Sequence, residues 1–550
     1  MATLPGIEDL GKGFNLLGPN GIRPTAGDTK TIFNLVMDDS YNIKDTVYEK
    51  PSVAEVFPDN GYKGKLTFSK TVIQATKKFT ATFGLEAEYG DFSANVDSSF
   101  SEETRESTDT AILMIEDEIL GYSVTLDSKQ SISTLNFTEA FKAALDGTMN
   151  PKELFERYGT HFIKGVRLGG KVIALSSSIS TEKVEEKEFT VSAKAKYDGV
   201  VSVEATASYT KSNKSKVNSE SIKQELMVYG GAANLQIALQ KAPSPTAFKD
   251  WAASVEKTPT FSYITAVGPI WDLCKDDNRK KQLENAYKLL FTQRALANLQ
   301  LFKFTSVEAT SQLSANLTVP DGYKILSGGA KVKTTGAGFL LFASYPQSTK
   351  EWQADARDHL VSSTGTLEIG VISVYDPFDL LEVKIQKSVA SPSAAVPTAE
   401  IYVDVKSGYK LVGGGAKVTW IDTAGNFLTA SYPSDDGKKW IVKSKHHHYE
   451  CRATITAYAI VIKPKLEAIK IDTMISDKES HQAQKPETSI SEESGYQLVG
   501  GGAKANYKGF GSLLTASYPE THEEWFVKSQ DHHKADFCTI TAYAINMKVT

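Results

Sequence analysis

Histidine and tryptophan are the residue types whose spacing in this sequence could support binding or metal chemistry. Three similar segments each place a histidine seven residues after a tryptophan, and two of them add an adjacent histidine. Adjacent imidazoles can ligate zinc or copper, so His446, His447 and His448 form an alternative metal site, although their spacing matches no standard motif and we expect no metal. A receptor or glycan contact is a second interpretation, and a cluster set only by repeat symmetry is a third. The candidate receptor-binding residues are Trp352, Trp440, Trp525, His359, His447, His448, His532 and His533.

These residues belong to a unit that occurs three times in the C-terminal half. The decapeptides GYKILSGGAK, GYKLVGGGAK and GYQLVGGGAK begin at Gly322, Gly408 and Gly495, and each is followed by a Ser-Tyr-Pro block, the tryptophan and a closing strand. A fixed period with the same internal order indicates one supersecondary unit used three times. We expect an all-β domain with a pseudo-threefold axis, a β-prism first and a β-trefoil second. The predicted repeats cover about 305–390, 400–477 and 489–550, separated by the linker-like stretches 390–400 and 478–489.

The N-terminal half, to about residue 300, mixes predicted strands, among them Ala111–Leu126 and Glu225–Tyr229, with a predicted closing helix at Asn285–Gln300. It also contains a segment in which apolar residues alternate with polar ones. The apolar stripe changes phase at Gly90-Asp91, which suits a two-residue hairpin turn. Pairing Tyr89 with Phe92 and Leu85 with Val96 puts both stripes on one face. The residues predicted for this first hairpin are Phe79, Phe83, Leu85, Tyr89, Phe92, Val96 and Phe100.

A second segment has the same pattern around the loop Asp198-Gly199-Val200. Pairing Tyr197 with Val201 again places both apolar stripes on one face. The residues predicted for this second hairpin are Phe189, Val191, Tyr197, Val201, Val203 and Tyr209. Each arm of the two hairpins has about the 9–11 residues that a tilted transmembrane β-strand requires. An ordinary half-buried sheet would show the same alternation.

Length and charge restrict the remaining possibilities. A chain of 550 residues is too long for one core, so we expect at least two domains. The net charge of -5 gives no reason to expect a nucleic-acid partner. The three cysteines suggest neither a disulfide framework nor a metal motif. No signal peptide and no apolar run of about 18 residues is visible, so membrane entry would have to use strands.

Between the two predicted hairpins lies the sequence YGTHFIKGVRLGG, residues 158–170. It resembles the signature of the membrane attack complex/perforin (MACPF) superfamily: Tyr-Gly-Thr-His, an aromatic residue, six further residues and Gly-Gly. Segments 10–15 and 223–231 are similar to strands of that family, and Trp251–Leu290 resembles its helical close. The matching signature positions are Tyr158, Gly159, Thr160, His161, Phe162, Gly169 and Gly170.

This resemblance implies an α+β MACPF domain over residues 1–300, with a bent central antiparallel sheet flanked by helical insertion segments. In the family, one such segment precedes the signature and one follows it. They are packed as short helices in the soluble monomer and become strands of an oligomeric barrel. Gly169-Gly170 suits a bend, because glycine permits close backbone approach. His161 is structural in the family, and with no nucleophile or carboxylate grouped beside it in sequence we expect no enzyme and no cofactor.

Residues 301–550 look like the C-terminal β-prism of some bacterial MACPF proteins, including insecticidal ones. The expected function is therefore that of a pore-forming toxin or cytolysin. It would be a monomer in solution, secreted or released without a visible signal peptide. Its C-terminal domain would bind a receptor or glycan on the target-cell membrane, and the protein would then form a homo-oligomer that inserts two hairpins per subunit. The alternative is a non-lytic adhesion or carbohydrate-binding protein with a MACPF scaffold.

Overall fold

The structure is a computed structural model that divides into two compact units. The N-terminal unit comprises residues 1–105 and 109–290, and the C-terminal unit comprises 106–108 and 291–550. The domain boundary expected at 300 therefore lies near 290. The described residues are 2–17, 30–43, 46–72, 74–75, 78, 100, 104–105, 107, 110–126, 135–179, 189–190, 193, 222–257, 261–334, 338–390, 398–421, 425–448, 451–509, 511–532 and 535–550.

Nine strands form two sheets in the described part of the N-terminal unit. A small sheet has the order β1-β4-β3, and the main sheet has the order β2-β7-β6-β5, with β8 and β9 both pairing with β7. The strands are β1 (Ala2–Thr3), β2 (Gly13–Phe14), β3 (Met37–Ile43), β4 (Thr46–Pro51), β5 (Ala54–Ser69), β6 (Thr110–Leu126), β7 (His161–Ile179), β8 (Lys223–Gly230) and β9 (Phe261–Pro269). The long strands β6 and β7 are rich in Ile, Leu and Val and are buried on both faces along much of their length, as expected for central strands.

Five α-helices of the described residues begin within the same unit. They are α1 (Glu139–Asp146), α2 (Pro151–Tyr158), α3 (Ala233–Lys241), α4 (Pro245–Lys257) and α5 (Asp277–Ala297). The Thr138 hydroxyl accepts the Phe141 N–H at the start of α1, and the Asn150 side chain accepts the Lys152 N–H at the start of α2. Among the described helices, none is both long and apolar enough to cross a bilayer.

The sequence predicted several of these elements with small differences at their ends. The strand expected at Ala111–Leu126 is β6, and the strand expected around Glu225–Tyr229 is β8. The closing helix expected at 285–300 is α5, which begins earlier, at Asp277. The region expected to be a helical close also contains strand β9, between α4 and α5.

The C-terminal unit is built from strands. They are β10 (Gln300–Thr305), β11 (Ala309–Thr310), β12 (Gln312–Thr318), β13 (Tyr323–Thr334), β14 (Phe339–Pro346), β15 (Glu351–Asp358), β16 (Thr364–Tyr375), β17 (Leu381–Ala390), β18 (Thr398–Asp404), β19 (Lys410–Trp420), β20 (Asn426–Pro433), β21 (Lys439–His446), β22 (Ala453–Pro464), β23 (Ile471–Glu479), β24 (Glu487–Ser491), β25 (Gln497–Asn506), β26 (Ser512–Pro519), β27 (Glu524–Asp531) and β28 (Thr539–Val549). The all-β, three-repeat architecture expected from the sequence is confirmed.

Each of the three sheets combines strands from two repeats. Their orders are β10-β16-β13-β26-β27-β24, β12-β15-β14-β19-β22-β17 and β18-β21-β20-β25-β28-β23, with β11 attached to β16. The junctions β13–β26, β14–β19 and β20–β25 are equivalent, and each joins the GGAK strand of one repeat to the Ser-Tyr-Pro strand of another. This exchange gives a three-sided β-prism, in which every sheet depends on a neighbouring repeat.

The boundaries of the repeats differ from those expected. Strand β17 pairs with β22, and β23 pairs with β28, so each belongs to the repeat that follows it. The linker-like stretches 390–400 and 478–489 therefore join two strands within one repeat. The connections between repeats are instead the shorter stretches 376–380 and 465–470. Small and polar residues mark these internal connections because they join edge strands of different sheets.

The repeated motifs form the centre of the prism. Trp352, Trp440 and Trp525 are fully buried, and each packs against a glycine of its own repeat motif, namely Gly328, Gly414 and Gly501 respectively. Their indole N–H groups donate to Ser344, Ser431 and Ser517 of the Ser-Tyr-Pro blocks, at 3.1, 3.0 and 3.2 Å respectively. The next glycine of each motif, Gly329, Gly415 or Gly502, lies against the serine carbonyl of a neighbouring repeat, so a Cβ there would collide with backbone.

Candidate functional site

The signature residues connect α2 to the central strand β7. Gly159 follows α2 with φ of 81°, and a Cβ there would lie 2.6 Å from the Phe14 nitrogen, so only glycine fits. The buried Thr160 hydroxyl accepts the Leu16 N–H at 3.0 Å. Phe162 is fully buried and meets the Phe33 ring edge-to-face. The signature thus fixes the start of β7 against the N-terminal strand β2.

His161 lies in a closed aromatic environment. Its Nδ1 is 3.0 Å from the Thr160 hydroxyl, and its ring lies 5.2 Å from Trp271 and 5.4 Å from Tyr287. The side chain is 0% exposed, and this burial lowers the pKa of His161 to about 3. A neutral, packed imidazole of this kind holds β7, the 3₁₀ turn Ile270–Leu273 and α5 together.

A line of glycines crosses the main sheet at the level of Gly169-Gly170. Gly170 pairs with Gly230 on β8, and the β6–β7 register shifts at Gly121. A Cβ at Gly121 would lie 2.6 Å from the Leu168 oxygen, and one at Gly169 would lie 2.4 Å from the Ile119 oxygen. The sequence predicted only the Gly-Gly pair. The other two glycines are isolated in sequence and become visible only through the strand register.

The sheet changes partners at this line of glycines. The first half of β7, up to Leu168, pairs with β9, and the second half, from Gly170, pairs with β8. A register shift on β6 and a change of neighbour on β7 at the same level weaken the continuity of the hydrogen-bond ladder. The arrangement suits a bend in the sheet.

Helix α4 packs directly on the line of glycines. Trp251 is fully buried, and its indole N–H donates to the Gly230 oxygen at 2.9 Å. A Cβ at Gly170 would lie 2.6 Å from the same indole ring, so only glycine fits there. Val172, Val228 and Leu239 complete this cluster. Trp251 therefore holds α4 against the bend, a role that sequence reasoning missed because a lone tryptophan in a helix has no distinguishing pattern.

A buried ion pair lies just beyond the bend. Lys171 Nζ is 3.1 Å from Glu116 Oε2, and the two side chains are only 3% and 6% exposed. The other carboxylate oxygen of Glu116 is buried without a hydrogen bond. Such a pair adds little net stability, because both charges lose their hydration, but removing one partner leaves an uncompensated buried charge.

The end of the first predicted hairpin segment packs on one face of the main sheet. Phe100 is 5% exposed and lies in a cluster with residues of β6, β7 and β8, which we call the first cluster. Its members are Val72, Ala75, Phe100, Ile112, Met114, Ile173, Leu175 and Met227. The other predicted residues of this hairpin, Phe79, Phe83, Leu85, Tyr89, Phe92 and Val96, lie outside the described residues.

The second predicted segment begins on the opposite face. Phe189 and Ala193 are fully buried in what we call the second cluster, which consists of Ala111, Leu113, Ile115, Ala174, Phe189, Ala193 and Ile222. The two clusters use alternate residues of β6 and β7, which point to opposite sides of the sheet. The Gln224 side chain donates to the Ala193 oxygen at 3.1 Å and to the Ser176 hydroxyl at 3.2 Å, tying the segment to β7 and β8.

The conformation at Phe189 differs from the strand that alternation alone predicts. Phe189, Thr190 and Ala193 are helical, as the family resemblance implied for insertion segments before conversion. Helical packing is favoured here because Phe189 and Ala193, four residues apart, lie on the same side of a helix and both reach the sheet. Val191, Tyr197, Val201, Val203 and Tyr209 lie outside the described residues.

The tryptophans and three of the histidines predicted to bind a receptor are inaccessible. Trp352, Trp440 and Trp525 are at most 1% exposed, and His359, His447 and His532 are 7%, 1% and 1% exposed. Their prediction as receptor contacts is wrong for this structure, because the threefold exchange turns these positions inward. His448 is exposed, and His533 lies outside the described residues.

The alternative metal site at His446, His447 and His448 has no supporting geometry. Within the described residues, no group of three or more histidine, cysteine, aspartate or glutamate side chains could hold a metal ion. The His447 Nε2 instead faces the His532 carbonyl oxygen at 2.7 Å, which commits it to a backbone hydrogen bond.

Helix α2, the signature at the start of β7 and the main sheet crossed by glycines together indicate the class of this protein. The sequence profile described as the MAC/Perforin domain matches residues 3–296, more than half of the chain. The chain therefore belongs to the MAC/Perforin domain family. No curated protein sequence matches it.

Three solved structures are similar to this chain at low sequence identity. GNIP1Aa from Chromobacterium piscinae is 18% identical with a TM-score of 0.44, and the match covers 74% of this chain and 78% of that one. A Bacteroides thetaiotaomicron protein with a MAC/Perforin domain is 16% identical with a TM-score of 0.35, covering 51% and 59%. Astrotactin-2, a vertebrate perforin-like membrane protein, is 13% identical with a TM-score of 0.33, covering 62% and 64%. The chain thus spans less than two thirds of the last two.

Proposed function

We propose that the protein is a pore-forming cytolysin whose N-terminal unit inserts two β-hairpins per subunit into a target membrane. Membership of the family makes perforin-like action the first expectation. The observation that carries the proposal is the register of the sheet at the points where the two segments leave it.

The first segment joins β5 to β6, which are paired up to Ser69 opposite Ile112. Continuing this register one residue at a time along both strands places Leu85 opposite Val96 and Tyr89 opposite Phe92. The turn then falls at Gly90-Asp91, the same turn and pairing that the apolar alternation gives on its own. Two independent features, the ladder of the folded sheet and the pattern of the segment, therefore agree on one extended hairpin.

The second segment joins β7 to β8, which are paired up to Ser177 opposite Lys223. Continuing that register places Tyr197 opposite Val203, two residues from the pairing with Val201 that the sequence pattern suggests. A shift of two residues leaves every side chain on its original face, because the strand period is two. A bulge or a different loop would absorb the difference.

The apolar stripes of both hairpins would continue a single face of the sheet. Counting in steps of two, the stripe of the first hairpin extends Ile112 and Met114, and that of the second extends Ile173 and Leu175. All four belong to the first cluster. One lipid-facing side for all four arms is what a barrel made from many subunits requires.

Insertion must follow assembly in this proposal. Unpaired strand edges in hydrocarbon leave backbone N–H and C=O groups without partners, at several kcal/mol for each group. A closed ring of subunits removes those edges. We therefore propose a homo-oligomer on the target membrane, formed before the hairpins enter, with no catalytic role for His161.

We propose that the C-terminal prism provides target recognition. Because the repeat tryptophans are buried, the recognition site is proposed to lie on the exposed surface of the second repeat. A groove of about 510 Å³ lies between β17 and β18, lined by Gln386–Ser388, Glu400–Asp404 and Lys406. Tyr402 is 47% exposed there. An accessible tyrosine among polar and charged side chains suits a receptor or glycan on the surface of a target cell.

The test is the environment of alternate residues in the first hairpin. Single cysteines at Leu85, Glu86, Ala87 and Glu88 would carry an environment-sensitive dye, in a chain whose half-buried Cys274 is replaced by serine. Cys451 and Cys538 are buried free thiols and can stay. On target-cell membranes or liposomes that leak, emission should report lipid at 85 and 87 and water at 86 and 88.

The outcomes separate the two candidate functions. Leakage with an alternating dye signal supports the cytolysin. Binding to cells without leakage, together with an unchanged dye signal at all four positions, would instead support the non-lytic adhesion protein. A label at Lys249 on α4, outside both segments, should give the same emission before and after leakage and serves as the matched control.

A further inference from the structure

Three buried histidines form a closed ring at one end of the C-terminal prism. His359 Nε2 bonds to the His447 oxygen at 2.9 Å, His447 Nε2 to the His532 oxygen at 2.7 Å, and His532 Nε2 to the His359 oxygen. Ring centroids are 5.6, 5.4 and 5.7 Å apart around the cycle. Each repeat therefore donates one hydrogen bond to the next and accepts one from the other.

The hydrogen bonds fix the protonation pattern of this ring. A carbonyl oxygen only accepts, so each Nε2 must carry the hydrogen, and a neutral imidazole then leaves Nδ1 unprotonated. For His447, Nδ1 is buried and has no hydrogen-bond partner. A proton added there would create a buried charge with an unsatisfied donor.

Described groups beside the ring add to the cost of a positive charge there. Arg357 and His448 disfavour protonation of His359 electrostatically, and Phe427 packs on the His359 ring at 5.1 Å. Burial is the main cause that lowers the pKa of His359, and burial together with neighbouring His448 lowers the pKa of His447 to about 3.

The strands that end at the ring contribute further charged groups. Asp358, His446 and Asp531 are the last residues of β15, β21 and β27 and immediately precede the three ring histidines. In the third repeat the Asp531 carboxylate accepts the Asp536 N–H, and Asp536 in turn accepts the Gly511 N–H. Lys445, beside His446, donates to the Gly509 oxygen. The Asp531 and Asp536 carboxylates thus each accept a backbone N–H.

We propose that His359, His447 and His532 act as a proton-sensitive closure of the C-terminal prism, which opens at this end when the pH falls below about 6. The ring holds together strands β15, β21 and β27 from all three repeats, so its protonation loosens three strand ends together. This property does not depend on pore formation and applies equally to an adhesion protein.

The direction of the effect follows from proton linkage. A histidine with a lowered pKa in the closed state binds more protons when the end is open. Closure is therefore fully stable above the ordinary histidine pKa of about 6.5 and is lost as the pH falls below it. Each such histidine raises the opening constant by up to about tenfold for each pH unit within this window.

The experiment is hydrogen–deuterium exchange of the full chain at pH 7.5 and 5.5, corrected for the intrinsic pH dependence of exchange. In the wild type, the opening constant at 353–359, 440–447 and 525–532 should rise by at least about tenfold at pH 5.5. Glutamine keeps an N–H donor but does not titrate, so H359Q/H447Q/H532Q should show less than about a twofold rise. H481Q, at an exposed histidine outside the ring, should behave as the wild type.

Two results would overturn the proposal. One is unchanged protection of the three strand ends in the wild type between the two pH values. The other is a pH response in the glutamine variant equal to that of the wild type. If the triple variant does not fold, H447Q alone should still reduce the rise, and an unreduced rise in a folded H447Q protein counts against the ring in the same way.

Discussion

The main sheet of the N-terminal unit and the prism of the C-terminal unit use glycine for opposite purposes. In the main sheet, Gly121, Gly169 and Gly230 lie at one level across adjacent strands, where the register shifts and β7 changes its partner. In the prism, glycines such as Gly414 let a tryptophan and a neighbouring strand approach closely. The first arrangement creates a place where a sheet can bend, and the second ties separate repeats together.

The buried polar groups of the main sheet and of the prism also differ. The main sheet buries an ion pair, Glu116 with Lys171, beside the bend, and holds a helical segment through Gln224. The prism buries neutral hydrogen bonds that repeat three times, such as Trp440 to Ser431. The proposed conversion would require the main sheet to change partners, and its buried ion pair adds little net stability, whereas the prism repeats the same packing three times. The predictions below test this difference.

The largest effect should come from removing a central tryptophan of the prism. W440A deletes a fully buried indole and its bond to Ser431, which should lower the free energy of unfolding of the C-terminal unit by about 3–5 kcal/mol. Urea denaturation followed by circular dichroism measures this. Because the repeats are equivalent, W352A and W525A should cost the same within about 1 kcal/mol. A large difference between the three would show that the symmetry is only geometric.

The next effect concerns the buried ion pair of the main sheet. E116Q removes the carboxylate that lies 3.1 Å from the buried Lys171 ammonium and should destabilise the N-terminal unit by about 3 kcal/mol. The double variant E116L/K171M removes both charges and should recover most of that loss. D272N is the control, since the Asp272 carboxylate lies 2.9 Å from Lys280 and both side chains are exposed, so it should cost less than about 1 kcal/mol. Equal losses for E116Q and the double variant would contradict the account.

The third prediction is a pH dependence within the N-terminal unit. Burial lowers the pKa of His161 to about 3, so the unfolded chain binds an additional proton between about pH 6.5 and 3. Stability is therefore complete above pH 6.5 and should fall by about 2 kcal/mol by pH 5. Unfolding of the wild type and of H161Q at a series of pH values measures this contribution. If H161Q keeps the same pH slope in the transition of the N-terminal unit, His161 is not its source.

The sequence and the structure agree where the pattern is local and diverge where it depends on distant partners. The repeat motifs and β6 follow from alternation and spacing within a short stretch. Only the Gly169-Gly170 part of the bend could be predicted from the sequence. Gly121 and Gly230 could not, because the strand register alone brings them beside Gly169. The burial of Trp440 and His447 could not be read from the sequence, since it results from three repeats closing around one axis.

The smallest effect should separate release of the second segment from overall stability. Gln224 donates to the Ala193 oxygen and to the Ser176 hydroxyl, and it is the described side chain that ties the helical segment to β8 by hydrogen bonds. Q224L should cost only about 1 kcal/mol of the free energy of unfolding, because each hydrogen bond contributes about that amount or less and leucine fills similar volume.

Its kinetic effect should be more informative than that loss. If the second segment leaves the main sheet during pore formation, Q224L should speed dye release from liposomes about threefold to tenfold at unchanged binding. The reason is that the lost hydrogen bonds stabilise only the packed state, by about 1 kcal/mol. K223L changes the exposed neighbour on the same strand, whose side chain makes no such tie, and should leave the rate unchanged. Slower release by Q224L would mean that the amide assists conversion rather than restraining it, and the contrast between the convertible sheet and the rigid prism would then have to rest on the ion pair and the glycines alone.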